Sequence, residues 1–269
     1  FNEYIQTQNL ITKNIENFRF DEAARFAYQF VWHYYCDWYL EFLKPIFNSK
    51  KKTEIKEAKL FSSFMMSNIL RLLHPFIPFF TETVWSINKY KLIYMEDLIS
   101  SPWPNYKNLN NFNKSQTDIN TLIELISNIR SSKSELKIKP KLFCNLYFSE
   151  KNGKLKRLAN KHLKLIELTG RVNNIIEDKQ SNKNSIDILV LKEKLSLEFN
   201  EDVDLASQKD RILKKIESIE NQTNSLNNKL QNKAYIKKAP KEIVQNDKKL
   251  AKELAIEERK LRSIVSSIK

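Results

Sequence analysis

Glycine is nearly absent: Gly153 and Gly170 are the only two in 269 residues. A phosphate-cradling loop needs several backbone N–H groups brought close to the anion with no side chain in the way, and two isolated glycines cannot build one. Cysteine is as scarce. Cys36 and Cys144 stand in different segments with no C-x-x-C spacing, so they read as buried thiols in a reducing compartment rather than a disulfide framework or a metal site. The three histidines are also scattered: His33 lies in an aromatic helix, His74 precedes a proline and His162 sits in a basic helix. Each reads as a structural or surface side chain, so no catalytic residue and no metal ligand is expected. Asp37 and Glu41, one helical turn apart beside Trp38 and Tyr39, read as partners of neighbours within a helical core rather than as an acid pair. No apolar run approaches the roughly 20 residues of a membrane span, and the N-terminus has no signal-peptide pattern, so no membrane partner is expected. The chain opens on Phe1 inside an amphipathic pattern and reads as a piece of a longer polypeptide.

Charge is abundant and one-sided, with 46 Lys+Arg against 32 Asp+Glu and a net charge of +14. Residues 1–112 carry 13 basic and 11 acidic groups, residues 113–200 carry 17 and 10, and residues 201–269 carry 16 and 11. A surplus in the second half is the electrostatic footprint expected of a polyanion partner. The abundance of Asn, Lys and Ile leaves a compositional origin open for part of it.

Few glycines and seven prolines gathered at turns favour long helices. The periodicity predicts helices over residues 2–16, Phe20–Phe47 with Asp21 as cap, Thr53–Leu73 and Phe79–Asn88, an up-and-down bundle. Along the second, Phe26, Phe30, Tyr34, Trp38 and Phe42 recur every fourth residue, which reads as core rather than a base-stacking platform. Leu98 to Asn111 reads as a linker laid over a surface. Beyond it the pattern predicts a helix over 113–136, strands at 142–148, 185–191 and 195–199, and a helix over Lys154–Leu168. The expectation is a mainly α protein in three parts: a helical bundle over 1–112, a small mixed α/β module over 113–200 and an antiparallel coiled-coil hairpin over 201–269.

The hairpin carries the strongest periodic signal. Ile212, Ile216, Ile219, Thr223, Leu226 and Leu230 are spaced 4, 3, 4, 3, 4, and Ile243, Asp247, Leu250, Leu254, Glu257, Leu261, Ile264 and Ile268 continue the rule after a break. A seam of period 3.5 must face a partner helix, and two arms joined by a short turn find it in each other. An arm of about 25 residues is roughly 38 Å long. Lys214, Lys215 and Lys229 lie on or near one arm, and Lys233, Lys237, Lys238 and Lys241 lie about the turn. This is a projecting cationic device whose simplest use is neutralising nucleic-acid phosphates. The bland alternative is a non-catalytic coiled-coil scaffold with incidental basic faces, or a general RNA-binding protein.

The residues also resemble a known family. Phe20-Asp21-Glu22-Ala23-Ala24, Trp32, Cys36-Asp37-Trp38-Tyr39-Leu40-Glu41 and Lys44-Pro45 resemble the anticodon-binding domain of valyl-tRNA synthetases. Leu72-Leu73-His74-Pro75-Phe76-Ile77-Pro78-Phe79, Thr81-Glu82 and Trp85 are similar to its next signature, and Pro102-Trp103-Pro104 to its exit. Ile129-Arg130, Glu135 and Pro140-Lys141 resemble the helix that follows. Lys229-Leu230 and Lys238-Ala239-Pro240-Lys241-Glu242-Ile243-Val244 resemble the family's C-terminal arm, with Ala234 and Tyr235 where glycine and phenylalanine are usual. The His-Pro-Phe element is shared with isoleucyl and leucyl relatives. The His-Ile-Gly-His and Lys-Met-Ser-Lys-Ser signatures of the catalytic domain are absent from the chain. The resemblance implies a cytoplasmic, monomeric parent that joins valine to its tRNA, using ATP and Mg in a domain outside this chain. It also implies tRNA as partner here, with the bundle on the anticodon side and the arm at the outer corner. Arg19 and Arg25 are the candidate contacts on the bundle.

Overall fold

The computed structural model describes residues 1–106, 112–148, 153–177, 184–199, 203–232, 235 and 240–269. The protein is mainly α-helical and divides into two compact units, Phe1–Ile123 and Glu124–Lys269. Among the described residues, the regular structure of the first unit is all helical. Those of the second form a small mixed sheet with its helices, followed by a helical hairpin.

In the first unit α1 (Asn2–Glu16) turns through Phe18 into α2 (Phe20–Gln29). The helical path continues to Phe47, as expected, but not as one α-helix. Ten residues, Phe30–Tyr39, are π-helical before α3 (Leu40–Phe47) resumes the α geometry. Nor is Asp21 the cap, since Arg19 holds that position and no side chain caps the helix. The wide π turn resets which side chains face inward. Ala23, Ala27, Phe30, Tyr35 and Leu43 are buried, with a step of five residues from Phe30 to Tyr35 where an α-helix would take three or four. Tyr34 is therefore exposed, and Phe26, Trp38 and Phe42 are only half-buried, so the expected fourfold stripe is core at Phe30 alone. Tyr28 and Trp32 stack on the surface with ring centroids 6.1 Å apart.

Tyr4 and Ile11 of α1 close this core against Met65, Ile69 and Leu72 of α4 (Lys52–Leu73). The buried Asn68 accepts the Tyr106 hydroxyl at 2.6 Å, and Trp103 Nε1 donates to Thr12 at 2.8 Å. These bonds lay the Pro102–Pro104 segment over the helices, within the predicted linker Leu98–Asn111, of which residues 107–111 lie outside the described residues. A smaller core joins Leu70 and Leu98 to Trp85 of α5 (Pro78–Ile87) and Tyr90 of α6 (Tyr90–Tyr94). There the buried Arg71 guanidinium lies 5.1 Å from the Trp85 ring and 4.4 Å from the Tyr94 ring, a cation held by two aromatic faces. An apolar hollow of about 640 Å³ opens beside the π-helix, lined by Tyr34, Trp38, Phe42, Phe61 and Ile119 among others.

Helix α7 (Asn113–Glu135) starts in the first unit and ends in the second. The sheet of the second unit has the order β2-β1-β4-β3. Its centre is β1 (Cys144–Phe148), parallel to β2 (Val172–Glu177) and antiparallel to β4 (Glu193–Phe199), with β3 (Ser185–Val190) at the edge. Strand β2 is not legible in the sequence, because Asn173 and Asn174 interrupt its apolar pattern. A parallel pair needs a crossover, and α8 (Gly153–Lys161) with α9 (Leu163–Gly170) supplies it. Ile129, Ile166 and Val172 converge on Gly170, so a methyl group there would touch all three at 3.6 Å.

Lys133 of α7 is the least expected member of this core, being only 3% exposed. Its ammonium donates to three backbone oxygens, Leu142 at 2.8 Å, Gly170 at 3.1 Å and Arg171 at 3.2 Å. Its three protons are thereby used, and burial holds its pKa below the ordinary lysine value. Cys144 is also buried, and Cys36 half-buried; burial raises the pKa of both thiols.

Among the described residues no helix is long and apolar enough to cross a membrane.

Candidate nucleic-acid interface

The arm is built from α10 (Leu205–Gln231) and α11 (Lys241–Ser267). Asp204 caps α10 by accepting the Ser207 N–H at 2.9 Å. At about 1.5 Å per residue each helix is about 40 Å long.

The seam of α10 lies where the period places it: Ile212, Ile216 and Ile219 are buried and Thr223, Leu226 and Leu230 half-buried. The seam of α11 differs from the prediction at alternate positions. Val244 is 7% exposed where Ile243 is 48% exposed, and Leu250 is 45% exposed while its neighbour Ala251 is half-buried. The true seam is Val244, Asp247, Ala251, Leu254, Glu258, Leu261, Val265 and Ile268. Both readings keep the 3.5-residue period, but at Ile243/Val244 and Leu250/Ala251 the larger aliphatic is not the one that faces the partner, while Ile264 and Val265 are both half-buried. Small Ala251 leaves room for α10, whereas Leu250 is displaced to the flank. Asp247, a charge in the seam, accepts the Tyr235 hydroxyl at 2.7 Å. The Thr223 hydroxyl oxygen is buried with no hydrogen-bond partner.

Ion pairs neutralise part of the arm's positive charge. Lys215 bonds Glu257 at 2.6 Å, Arg262 bonds Glu258 at 2.8 Å and also Glu220, and Lys260 bonds Glu135 at the end of α7 at 3.0 Å. Such exposed pairs add little stability, but each cancels a cation. Lys214 and Lys229 are exposed and make no ion pair among the described residues. Of the predicted arm lysines, the structure therefore brings Lys214 and Lys229 to one flank and neutralises Lys215. Lys233, Lys237 and Lys238 lie outside the described residues, and of Lys241 only the backbone is described, as the first residue of α11. On the bundle, Arg19 and Arg25 share one carboxylate: Arg19 lies 3.6 Å from Glu22, and Arg25 bonds the same group while resting 4.6 Å from the Phe26 ring.

The flank with Lys214 and Lys229 holds a groove of about 630 Å³. Between the lysines it is lined by Glu217, Ser218, Asn221, Gln222 and Ser225, with Leu226 and the displaced Leu250 as apolar floor. These hydroxyl and amide groups carry no single-residue signal and were not among the predicted site residues. Periodicity alone places them on one face.

The base of the arm is tied to the sheet. Ile268 bridges Ile186 of the edge strand, and the Lys269 N–H donates to the Ser185 carbonyl at 2.9 Å. Asp187 accepts from Ser196 at 2.6 Å and pairs with Lys194 at 2.7 Å.

The remaining titratable groups named in the sequence are engaged locally. His33 pairs with Asp37 at 3.4 Å, His74 Nδ1 lies 2.8 Å from the Thr81 hydroxyl, and Glu41 pairs with Lys44.

Residues 1–148 match the family model of the anticodon-binding domain of tRNA ligase, and residues 204–269 that of the valyl tRNA synthetase tRNA binding arm. The chain is 34% identical over 246 residues, 91% of its length, to the valine–tRNA ligase of Pelagibacter ubique. It is 29% identical over 267 residues, 99% of its length, to that of Agrobacterium fabrum. It spans 28% of each of these relatives.

Proposed function

Because the chain belongs to the family of anticodon-binding domains of tRNA ligases, we propose that it is the tRNA-holding region of a valine–tRNA ligase. In this reading the first unit receives the anticodon side of the tRNA and the arm braces its outer corner. The adenylate chemistry, with its ATP and Mg, belongs to the remainder of a larger cytoplasmic enzyme that attaches valine to its tRNA. The observation that carries the reading is the arm itself. Its apolar seam is consumed by its own two helices, which supports a monomer over a self-associating scaffold. Two exposed lysines without ion pairs among the described residues, Lys214 and Lys229, stand together on one flank, where a polyanion can reach them.

The test is binding of a valine tRNA transcript by the 269-residue chain across a salt series. Neutralising about five phosphates gives a log–log slope near −4 to −5. A slope near zero, or a stable oligomer that binds tRNA no better than unstructured RNA, overturns the proposal. Valine-dependent ATP–pyrophosphate exchange by the chain alone would contradict the assignment of chemistry to the rest of the enzyme.

A further inference from the structure

We propose that the groove on the α10 flank recognises ribose 2′-hydroxyls of the bound RNA, so that the arm distinguishes RNA from other polyanions rather than only attracting charge. The inference rests on the function proposed above and adds the chemistry of the contact.

The order of residues along the flank carries the argument. Lys214, Ser218, Asn221, Ser225 and Lys229 follow one another at spacings of 4, 3, 4 and 4, with Gln222 beside them. At about 100° per residue these positions fall on a single helical face, and the two lysines are about 22 Å apart along it. That is the reach of several nucleotides of one strand. A surface that only neutralised phosphates would carry cations along its length. Here cations stand only at the ends, and the middle is hydroxyls and carboxamides, which both donate and accept. None of Ser218, Asn221, Gln222 and Ser225 has a side-chain hydrogen bond among the described residues, and all are exposed. Of the nearby cations, Lys215 is tied up by Glu257, and Arg262 by Glu258 and Glu220.

A sugar–phosphate backbone fits this arrangement. Its phosphates meet Lys214 and Lys229, its 2′-hydroxyls meet the amide and hydroxyl row, and the sugar faces rest on Leu226 and Leu250. Glu217, in the same groove, accepts from a 2′-hydroxyl but repels a phosphate, so it favours sugars at the centre of the row and phosphates at its ends. The 2′-hydroxyl is the group by which a protein tells RNA from DNA.

The experiment compares a folded tRNA transcript with the same sequence made entirely of 2′-deoxynucleotides, using the intact chain. Wild type is expected to bind the RNA on the order of tenfold more tightly, the worth of one or two neutral hydrogen bonds. Replacing the row together (Ser218→Ala, Asn221→Ala, Gln222→Ala, Ser225→Ala) brings that ratio close to one and leaves the salt slope unchanged. Alanine is the best helix former, so circular dichroism should show the arm intact. Lys214→Ala with Lys229→Ala does the reverse, lowering the slope by about two units while keeping the RNA preference. A row variant that keeps the full preference, or a wild type that binds both polymers alike, overturns this inference and leaves the proposed function standing. A wild type that binds neither polymer overturns both.

Discussion

Lys269 Nζ and Asp187 Oδ1 meet at 2.8 Å, joining the last residue of the chain to the edge strand of the sheet. Burial raises the Asp187 pKa, but hydrogen bonds from Lys194, Lys269 and Ser196 outweigh it and hold the carboxyl below its ordinary value. A depressed folded-state pKa contributes stability that is complete above the unfolded value of about 3.9 and is lost as pH falls through the folded value. Asp187→Asn should therefore melt below wild type at neutral pH, with the gap closing in acid below both pKa values. Equal gaps at about pH 7 and about pH 2 would show that the ionised carboxylate is not what matters.

Lys133 offers a sharper stability test. Lys133→Met keeps a long side chain but leaves the carbonyls of Leu142 and Gly170 without their donor, while that of Arg171 keeps the Cys144 N–H at 3.0 Å. A loss of about 3 kcal/mol is expected, since each buried unsatisfied acceptor costs about 1–3 kcal/mol and the site can partly relax. Denaturant unfolding measures it, and a loss below about 1 kcal/mol would mean that water replaces the amine without penalty.

The β3–β4 turn is strained in the opposite sense. Leu191 and Lys192 both adopt left-handed backbone, at φ 50° and 67°, in a two-residue hairpin that prefers Asn-Gly. Besides the β3–β4 ladder, two outside contacts brace it: the Leu191 N–H donates to Glu124 at 2.8 Å, and Asn128 donates to the Leu189 carbonyl at 2.9 Å. Leu191→Asn with Lys192→Gly should raise stability by about 1–2 kcal/mol. An unchanged or lower melting temperature would refute this.

The corrected seam makes a paired prediction. Ala251→Asp places a charge against α10 and should reduce helicity and melting temperature, whereas Leu250→Asp sits on the flank and should be tolerated. The reverse ranking would restore the seam read from the larger side chains. At Thr223, whose hydroxyl oxygen is buried and unpartnered, Thr223→Val should stabilise the arm by about 1 kcal/mol.

These cases show what a one-dimensional pattern can carry. The α10 seam was legible because each seam position holds a single candidate with polar neighbours. On α11 adjacent apolar pairs (Ile243 with Val244, Leu250 with Ala251, Ile264 with Val265) satisfy the same period, and only the space left by the facing helix chooses between them. The bundle was legible as a set of helices, yet its π stretch was not, because an i→i+5 ladder leaves no signature in residue type. The groove on the α10 flank depends on which lysines find carboxylates across the arm, a matter of side-chain reach that spacing does not encode. The Lys133 clasp depends on where three distant carbonyls converge.

The fastening of Ile268 and Lys269 to β3 also has a mechanical meaning. A pair of helices about 40 Å long, anchored at one end to a sheet, works as a lever with its fulcrum at Ser185–Asp187. A tilt of about 5° at the fulcrum moves the far end by about 3.5 Å, a full hydrogen-bond length. Loosening Asp187 should therefore be felt most at the end farthest from it. The clasp at Asp187 thus sets how sharply the far end of the arm is aimed.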